Sequence, residues 1–435
     1  MKVRTLKKDK VNIITLGCSK NMVDSEVLSG QLLANDINVV HESAKRDHNI
    51  VIVNTCGFID KAKAESINTI LDQVALKKRG KIDKVFVTGC LSERYKSNLE
   101  EEIPEVDAYF GTMELPQLLK RFEADYKAEL VGERLLSTPS HYAYLKISEG
   151  CNRTCSFCAI PLMRGKHVSK TIEALVAEAE GLVKKGVKEI MVIAQELTYY
   201  GLDIYRERAL PRLLNALAEV KGIEWIRLHY AYPSKFPLEI LPVIHERTNI
   251  CSYLDMPLQH ASNRMLKAMK RQITREEMTE LIGIIRQQVP GICIRTTLIA
   301  GFPGETREDV EELKAFLQEH RFDRVGIFSY SHEENTSAYD LVDDVPDEEK
   351  EARAQEIMEV QQEISLEKNQ EKVGKTFKVI VDRRESGRYL GRTEFDSVEV
   401  DNEVIINTNK RLAIGDFVQV KITKAYDYDI EGELE

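Results

Sequence analysis

Through the first third of the chain, short apolar β-branched runs alternate with longer helix-like ones. "VNIITLGC", "HNIVIVNTC" and "KVFVTGC" each end at a cysteine with a glycine beside it. The stretches between them, "DSEVLSGQLLAN" and "AKAESINTILDQVALKK", read as helices. This β-α-β rhythm predicts a parallel sheet. "LVGERLLSTPSHYAY" reads as a linker.

From about Tyr142 the rhythm resumes on a longer scale. "AYLKIS", "EIMVIAQ", "IEWIRLHY", "YLDMPLQ", "ICIRTTLIAG" and "DRVGIFSY" are strand patterns, separated by helical stretches such as "TIEALVAEAEGLVKKG" and "EEMTELIGIIRQQV". Six β/α units in a row predict a partial (β/α)6 barrel with its chemistry at the strand C-terminal ends. Residues 347–370 carry many charges and few apolar positions, which predicts a connecting helix. After Gly374 the text turns to short alternating runs, "TFKVIVDRRE", "RYLGRTEF", "SVEVDNEVII" and "DFVQVKITKAYDYDIEGEL". These predict a small antiparallel β-barrel. The expected class is α/β, divided into residues 1–135, 136–346, the helix 347–370, and 371–435.

Composition narrows the setting. The 435 residues are 43% hydrophobic and 30% charged, as in an ordinary globular protein. No apolar run approaches the roughly 20 residues that span a bilayer. The N-terminus has no signal-peptide pattern, so a cytoplasmic address and reduced thiols are expected for the eight cysteines. A net charge of −10 disfavours broad, non-specific nucleic-acid binding and suits a basic protein partner.

"ISEGCNRTCSFCAIP" holds Cys151, Cys155 and Cys158 at the spacing C-x3-C-x2-C. Thiolates at such spacing hold iron–sulfur clusters. Three ligands on a four-iron cluster leave one iron open, as catalytic metal sites keep a position free. No fourth cysteine or histidine pair completes a zinc site, and the nearby His167 reads as a surface residue. Cys18, Cys56 and Cys90 each close a predicted strand. In a parallel sheet those ends share one edge, so the three thiols converge and suit a second four-iron cluster with a free iron. Cys251 and Cys293 read as buried core.

"GCNRTCSFC" resembles the signature of the radical S-adenosylmethionine (SAM) enzymes. In that family the open iron chelates SAM, and an electron from the cluster releases a 5′-deoxyadenosyl radical. The resemblance places Phe157 near the adenine and makes "LIAGFPGE", with Gly301, the glycine-rich adenine-side segment. Two three-cysteine clusters, with the β-barrel as a TRAM domain, resemble the methylthiotransferases along nearly the whole chain. The resemblance implies two [4Fe-4S] clusters and two uses of SAM, as methyl donor and as radical source. It also implies an external electron donor and a sulfur source. Its products carry a methylthio group in place of a hydrogen.

Two branches of that family differ in substrate. One modifies a tRNA adenosine next to the anticodon. The other modifies the β-carbon of an aspartate in the twelfth small-subunit ribosomal protein. Residues 371–435 hold 11 Lys and Arg against 14 Asp and Glu, a net of −3. That charge suits a basic ribosomal protein held through the TRAM domain better than tRNA. "PLMRGKHVSK", "AQELTYYGLDIY", "YLDMPLQHAS" and "FSYSHEENTSA" resemble the ribosomal-protein branch. Leu162, Lys170 and Asn335 stand where serine, arginine and glycine are expected. Gln195, Glu196, Asp255 and Gln259 stand at predicted strand ends, suited to hydrogen bonds with SAM. Arg164, Lys166 and Lys235 suit a substrate carboxylate. A non-enzymatic iron–sulfur protein is the third reading.

Overall fold

A computed structural model describes residues 9–127 and 133–435, apart from 44 and 46. Residues 130–132 of the expected linker lie outside the described residues. Two compact units divide the chain. One holds Met1–Thr138, Glu149–Asn152 and Ala159–Val168; the other holds Pro139–Ser148, Arg153–Cys158 and Ser169–Glu435.

In the first unit the strands are β1 (Lys10–Thr15), β2 (Asn38–His41), β3 (Ile50–Thr55), β4 (Lys84–Gly89) and β5 (Ala108–Tyr109). They form one parallel sheet in the order β2-β1-β3-β4-β5. The central strand "IVIVNT" is buried throughout, as a β-branched run covered on both faces must be. Helices α1 (Ser19–Leu33), α2 (Asp60–Lys78), α3 (Cys90–Glu102) and α4 (Leu115–Lys120) connect and cover it. Two apolar clusters form the core, one around Val51, Val53 and Val85, the other around Ile13, Ile52 and Phe86. The edge strands β2 and β5 have four and two residues and little apolar pattern, so the sequence reading misses them.

The second unit opens with β6 (Tyr142–Lys146), and the chain passes β7 (Ser148–Glu149), α5 (Ile160–Arg164) and β8 (Val168–Ser169) before α6 (Ile172–Lys184). Then follow β9 (Glu189–Ile193), α7 (Leu210–Ala218), β10 (Trp225–Leu228), α8 (Ile240–Glu246) and β11 (Ile250–Asp255). The series closes with α9 (Asn263–Ala268), α10 (Arg275–Gln288), β12 (Cys293–Ala300), α11 (Arg307–His320) and β13 (Arg324–Ser329). Six of these strands form an open parallel sheet in chain order, β6-β9-β10-β11-β12-β13. Consecutive parallel order with two free edges is the partial barrel expected.

Helix α12 (Asp347–Gln370) is more than a connector. It buries Ile357 and Ile364 and packs on β13, β12 and α11. Strands β14 (Thr376–Glu385), β15 (Arg388–Thr393), β16 (Val404–Asn407), β17 (Phe417–Ala425) and β18 (Ile430–Leu434) close into a barrel around Val379, Val404, Val420 and Ile430. Its pairs are antiparallel except β16 with β18. The run "SVEV", expected as strand, is a loop.

The small barrel seats against the six-stranded sheet. Ile380 enters a cluster with Trp225, Cys251, Tyr253 and Cys293, and Phe417 meets Trp225 edge-on at 4.8 Å. Cys251 and Cys293 are thus the core residues expected, 1% and 2% exposed.

Candidate functional site

Cys18, Cys56 and Cys90 stand just past the C-terminal ends of β1, β3 and β4. The order 2-1-3-4-5 switches direction between β1 and β3, and the crevice at such a switch binds ligands in open α/β sheets. Cys18 caps α1 and Cys90 opens α3, so two thiols sit at helix N-termini, which carry positive partial charge. A Cβ on Gly17 would lie 2.8 Å from Cys56 Sγ, and one on Gly57 would lie 2.7 Å from Leu91 Cα. Glycine at both places lets the strand ends close on one another. Asn21 ties them further, donating from Nδ2 to Leu16 O at 2.8 Å and Thr55 O at 3.0 Å. Ser66 of α2 grips the backbone N–H and C=O of Cys56. Cys90 Sγ lies 3.7 Å from Oδ1 of the same Asn21, which ties the third strand end to the other two.

Arg164, at the end of α5, is 4% exposed in this same unit. Its Nε donates to Cys90 Sγ at 3.2 Å, its Nη1 to Asp24 Oδ2 at 2.6 Å, and its Nη2 to Asn21 Oδ1. Glu149 lies 3.4 Å from the same Nη1. This corrects the sequence reading: the guanidinium is committed to the thiol site and does not face a substrate carboxylate. Burial pushes the Cys90 thiol up to about 12, with Arg164 drawing it down. Burial raises Cys56 too. His167, expected at the surface, is buried at 5% exposure.

The three-cysteine motif is split between the units. Cys151 belongs to the first, where its N–H donates to Gly165 O at 3.1 Å, while Cys155 and Cys158 belong to the second. Beside Cys155 lies a stack that the motif does not advertise. Arg271 Nη1 donates to Cys155 Sγ at 3.2 Å, and the Tyr232 hydroxyl is 3.6 Å from that sulfur. Two guanidinium carbons lie over the Tyr232 ring, Arg153 at 3.8 Å and Arg271 at 4.2 Å from its centroid. Arg153 also pairs with Glu196 at 3.2 Å.

The remaining predicted residues fall into two groups. Phe157 is half-buried against Met265, Met269, Phe302 and Tyr330. Gln195 and Gln259 are half-buried, and Lys166 and Lys235 are exposed. Three others serve inward, against expectation. Glu196 is 2% exposed and spends its oxygens on Thr198 and Arg153. Asp255 is 1% exposed; its side chain accepts from Arg295 and Tyr230 N. Gly301 has φ of 78°, and a Cβ there would lie 2.2 Å from Lys350 Cγ, so the glycine makes room for α12. Glu305 of the same segment accepts from Gly301 N at 2.9 Å and Arg353 Nη1 at 3.0 Å.

Comparison with known proteins places this architecture. A family model described as the radical SAM superfamily matches residues 145–317, and one described as TRAM domain matches 373–434. Residues 10–111 match a model described as uncharacterized protein family UPF0004. A Flavobacterium psychrophilum protein named ribosomal protein uS12 methylthiotransferase RimO is 62% identical over 434 residues, covering 100% of both chains. Its namesake from Cytophaga hutchinsonii is 58% identical over 435 residues, again covering 100% of both. The chain belongs to the RimO family. Among solved structures, the radical SAM methyltransferase TsrM from Kitasatospora setae superposes with a TM-score of 0.56 at 16% identity, over 74% of this chain and 75% of that one. At that identity the likeness shows the fold alone.

The family implies SAM and a [4Fe-4S] cluster, and the thiols suit such a group. Among the described residues no three His, Cys, Asp or Glu side chains gather as around a single metal ion. A four-iron cube asks for something else, thiolates spread around it with each on its own iron. The strand-end trio offers three thiols, two helix N-termini and a buried arginine. Nearby, Ser92 Oγ is buried with no partner among the described residues. Sequence reasoning missed Arg153, Arg271 and Tyr232. Arg153 stood inside the quoted motif; the other two lie at distant positions that only the folded sheet brings to Cys155.

Proposed function

We propose that this chain is a radical SAM methylthiotransferase that replaces a hydrogen on the β-carbon of an aspartate in ribosomal protein uS12 with a methylthio group. The observation that carries the reading is identity of 62% along the whole of both chains with a protein named for that reaction. Cys151, Cys155 and Cys158 hold the SAM-binding [4Fe-4S] cluster, and Cys18, Cys56 and Cys90 hold a second. When bound, these groups and SAM supply hydrogen removal from an unactivated C–H bond, whose lack of acidity leaves a side-chain base nothing to do.

The chain's own residues prepare that chemistry. Arg164 balances the charge of Cys90, and Arg271 that of Cys155. Helix N-termini at Cys18 and Cys90 add to the balance. Phe157, Gln195 and Gln259 remain the residues offered to SAM, and Lys166 and Lys235 the exposed cations offered to a substrate carboxylate. uS12 is the protein partner, with an external electron donor and sulfur source. The setting is cytoplasmic; no helix among the described residues is long and apolar enough to cross a membrane.

Mass spectrometry of small-subunit proteins tests the reading. The uS12 peptide is expected to carry one methylthio-for-hydrogen exchange when the gene is present and none when it is deleted. Persistence of the modification in the deletion strain overturns the proposal. Loss of a methylthioadenosine from digested tRNA instead points to the other branch. SAM cleavage to 5′-deoxyadenosine by the reconstituted protein excludes a role confined to cluster delivery.

A further inference from the structure

The loop between β15 and β16 leaves its own barrel and lodges in the six-stranded sheet. Asp401 accepts the Tyr253 hydroxyl on Oδ2 at 2.7 Å and Arg295 Nε on Oδ1 at 3.2 Å. Arg295 turns its Nη1 to Asp255 Oδ1 at 3.1 Å. Ser397 donates its N–H to Asp401 Oδ2 at 2.9 Å and pairs through Oγ with His229 Nε2 at 3.0 Å. The other ring nitrogen of His229 lies 3.7 Å from Asp255 Oδ2. Asp255 is therefore held on two sides by groups that the loop itself holds.

Asp255 in turn orders the chain after β10. Its Oδ2 accepts Tyr230 N at 3.2 Å, and its carbonyl accepts Ala231 N at 2.8 Å. Tyr230 has φ of 67°, a left-handed backbone that a non-glycine residue keeps only where neighbours impose it. The turn delivers Tyr232, whose hydroxyl lies 3.6 Å from Cys155 Sγ and donates to Arg271 O at 2.8 Å. Hydrogen bonds through Arg295 and Asp255, continued by the Tyr230–Tyr232 backbone, thus link the β15–β16 loop to the surroundings of Cys155.

We propose that Asp401, in the β15–β16 loop of the C-terminal domain, is a positioning residue for the Tyr230–Tyr232 turn beside Cys155, acting through Arg295 and Asp255. The C-terminal domain then serves SAM cleavage itself, and not only the grip on a protein substrate.

Amide hydrogen exchange on the full-length, metal-free chain tests the relay. Asp401→Asn is expected to speed exchange at Tyr230 and Ala231 about tenfold or more, because their shared acceptor loses its support. Val53, in the other unit, keeps its protection, and Asp401→Glu restores part of that of Tyr230 and Ala231. Exchange unchanged at both amides overturns the proposal. In the reconstituted chain with an artificial reductant and no ribosomal protein, Asp401→Asn is expected to slow SAM cleavage severalfold. That arm rests on the proposed function; if the unaltered chain cleaves no SAM, the function fails and the exchange result still decides the relay. If the variant cleaves SAM at the unaltered rate and loses only uS12 modification, the role at Cys155 is overturned. Should Asp401→Asn not fold, Ser397→Ala, which removes the hydroxyl contacts to His229 and Met191 and keeps the N–H bond to Asp401, is measured in the same way, with a smaller acceleration expected and none overturning the relay.

Discussion

Arginine stands beside each sulfur site, Arg164 at the N-terminal trio and Arg153 with Arg271 around Cys155 and Tyr232. Arg164 spends all three nitrogens, on Cys90, Asp24 and Asn21. Lysine keeps the charge but offers one point where the guanidinium offers a planar fork. Arg164→Met is therefore expected to lower iron bound at the N-terminal trio, and Arg164→Lys to recover only part of it. The check is iron and sulfide content after anaerobic reconstitution in a Cys155→Ala background. The division of labour between the two trios gives a second prediction. Cys155→Ala is expected to abolish SAM cleavage while leaving the strand-end trio loaded. Cys56→Ala is expected to leave SAM cleavage largely intact and to stop sulfur insertion. Equal loss of SAM cleavage in both variants contradicts the assignment.

At the scale of elements, α12 carries more than its composition suggests. Its Lys350 fills the space beside Gly301, and its Arg353 reaches Glu305 in the same segment. Gly301→Ala forces a Cβ onto Lys350 and strains a left-handed backbone by about 1–2 kcal/mol. A lower denaturant midpoint is expected, read from the fluorescence of Trp225, the one tryptophan in the chain. An unchanged midpoint means that Lys350 moves aside freely. The strand-end cysteines are legible in the sequence, because β-branched runs ending in Gly-Cys or Cys-Gly mark both a strand and its exit. The edge strands were not, since runs of two to four residues have no period to read. Nor was "SVEV": its alternation is real, yet Ser397 and Asp401 are spent on partners in the sheet, not on a neighbouring strand. Asp255 and Glu196 were found for their position at strand ends; their inward use depends on Arg295 and Arg153, contacts that no local pattern encodes.

For the whole molecule the charge argument changes. The net of −3 in residues 371–435 suggested an acidic face for a basic partner. Asp382, Asp396 and Asp401 in fact meet Arg392, Arg324 and Arg295 inside the second unit, so much of that charge never reaches solvent. These pairs set an acid limit. Burial raises the Asp396 carboxyl, but Arg324, Lys372 and Thr393 hold it below the usual range. His141 and Arg392 do the same for Asp382. A depressed folded value means stability present above the unfolded value of about 3.9 and lost as pH falls through the folded one. Burial lowers His229, with Asp255 opposing, so a gentler loss begins as pH drops below about 6.5. The denaturant midpoint of the Trp225 signal is expected to slope down from there and to fall steeply only below about pH 4. A midpoint that climbs on acidification contradicts these pairings.

The lodged loop also bears on how the protein is made. Arg295 and Arg324 lie in strands translated before the loop that carries Asp401 and Asp396, the carboxylates that receive them. Until the ribosome has released that stretch, Arg324 lacks its carboxylate partner and Arg295 keeps only Asp255, so maturation of the nascent sheet waits for it. A stop codon shortly before Glu394 should thus forfeit the central sheet as well as the small barrel.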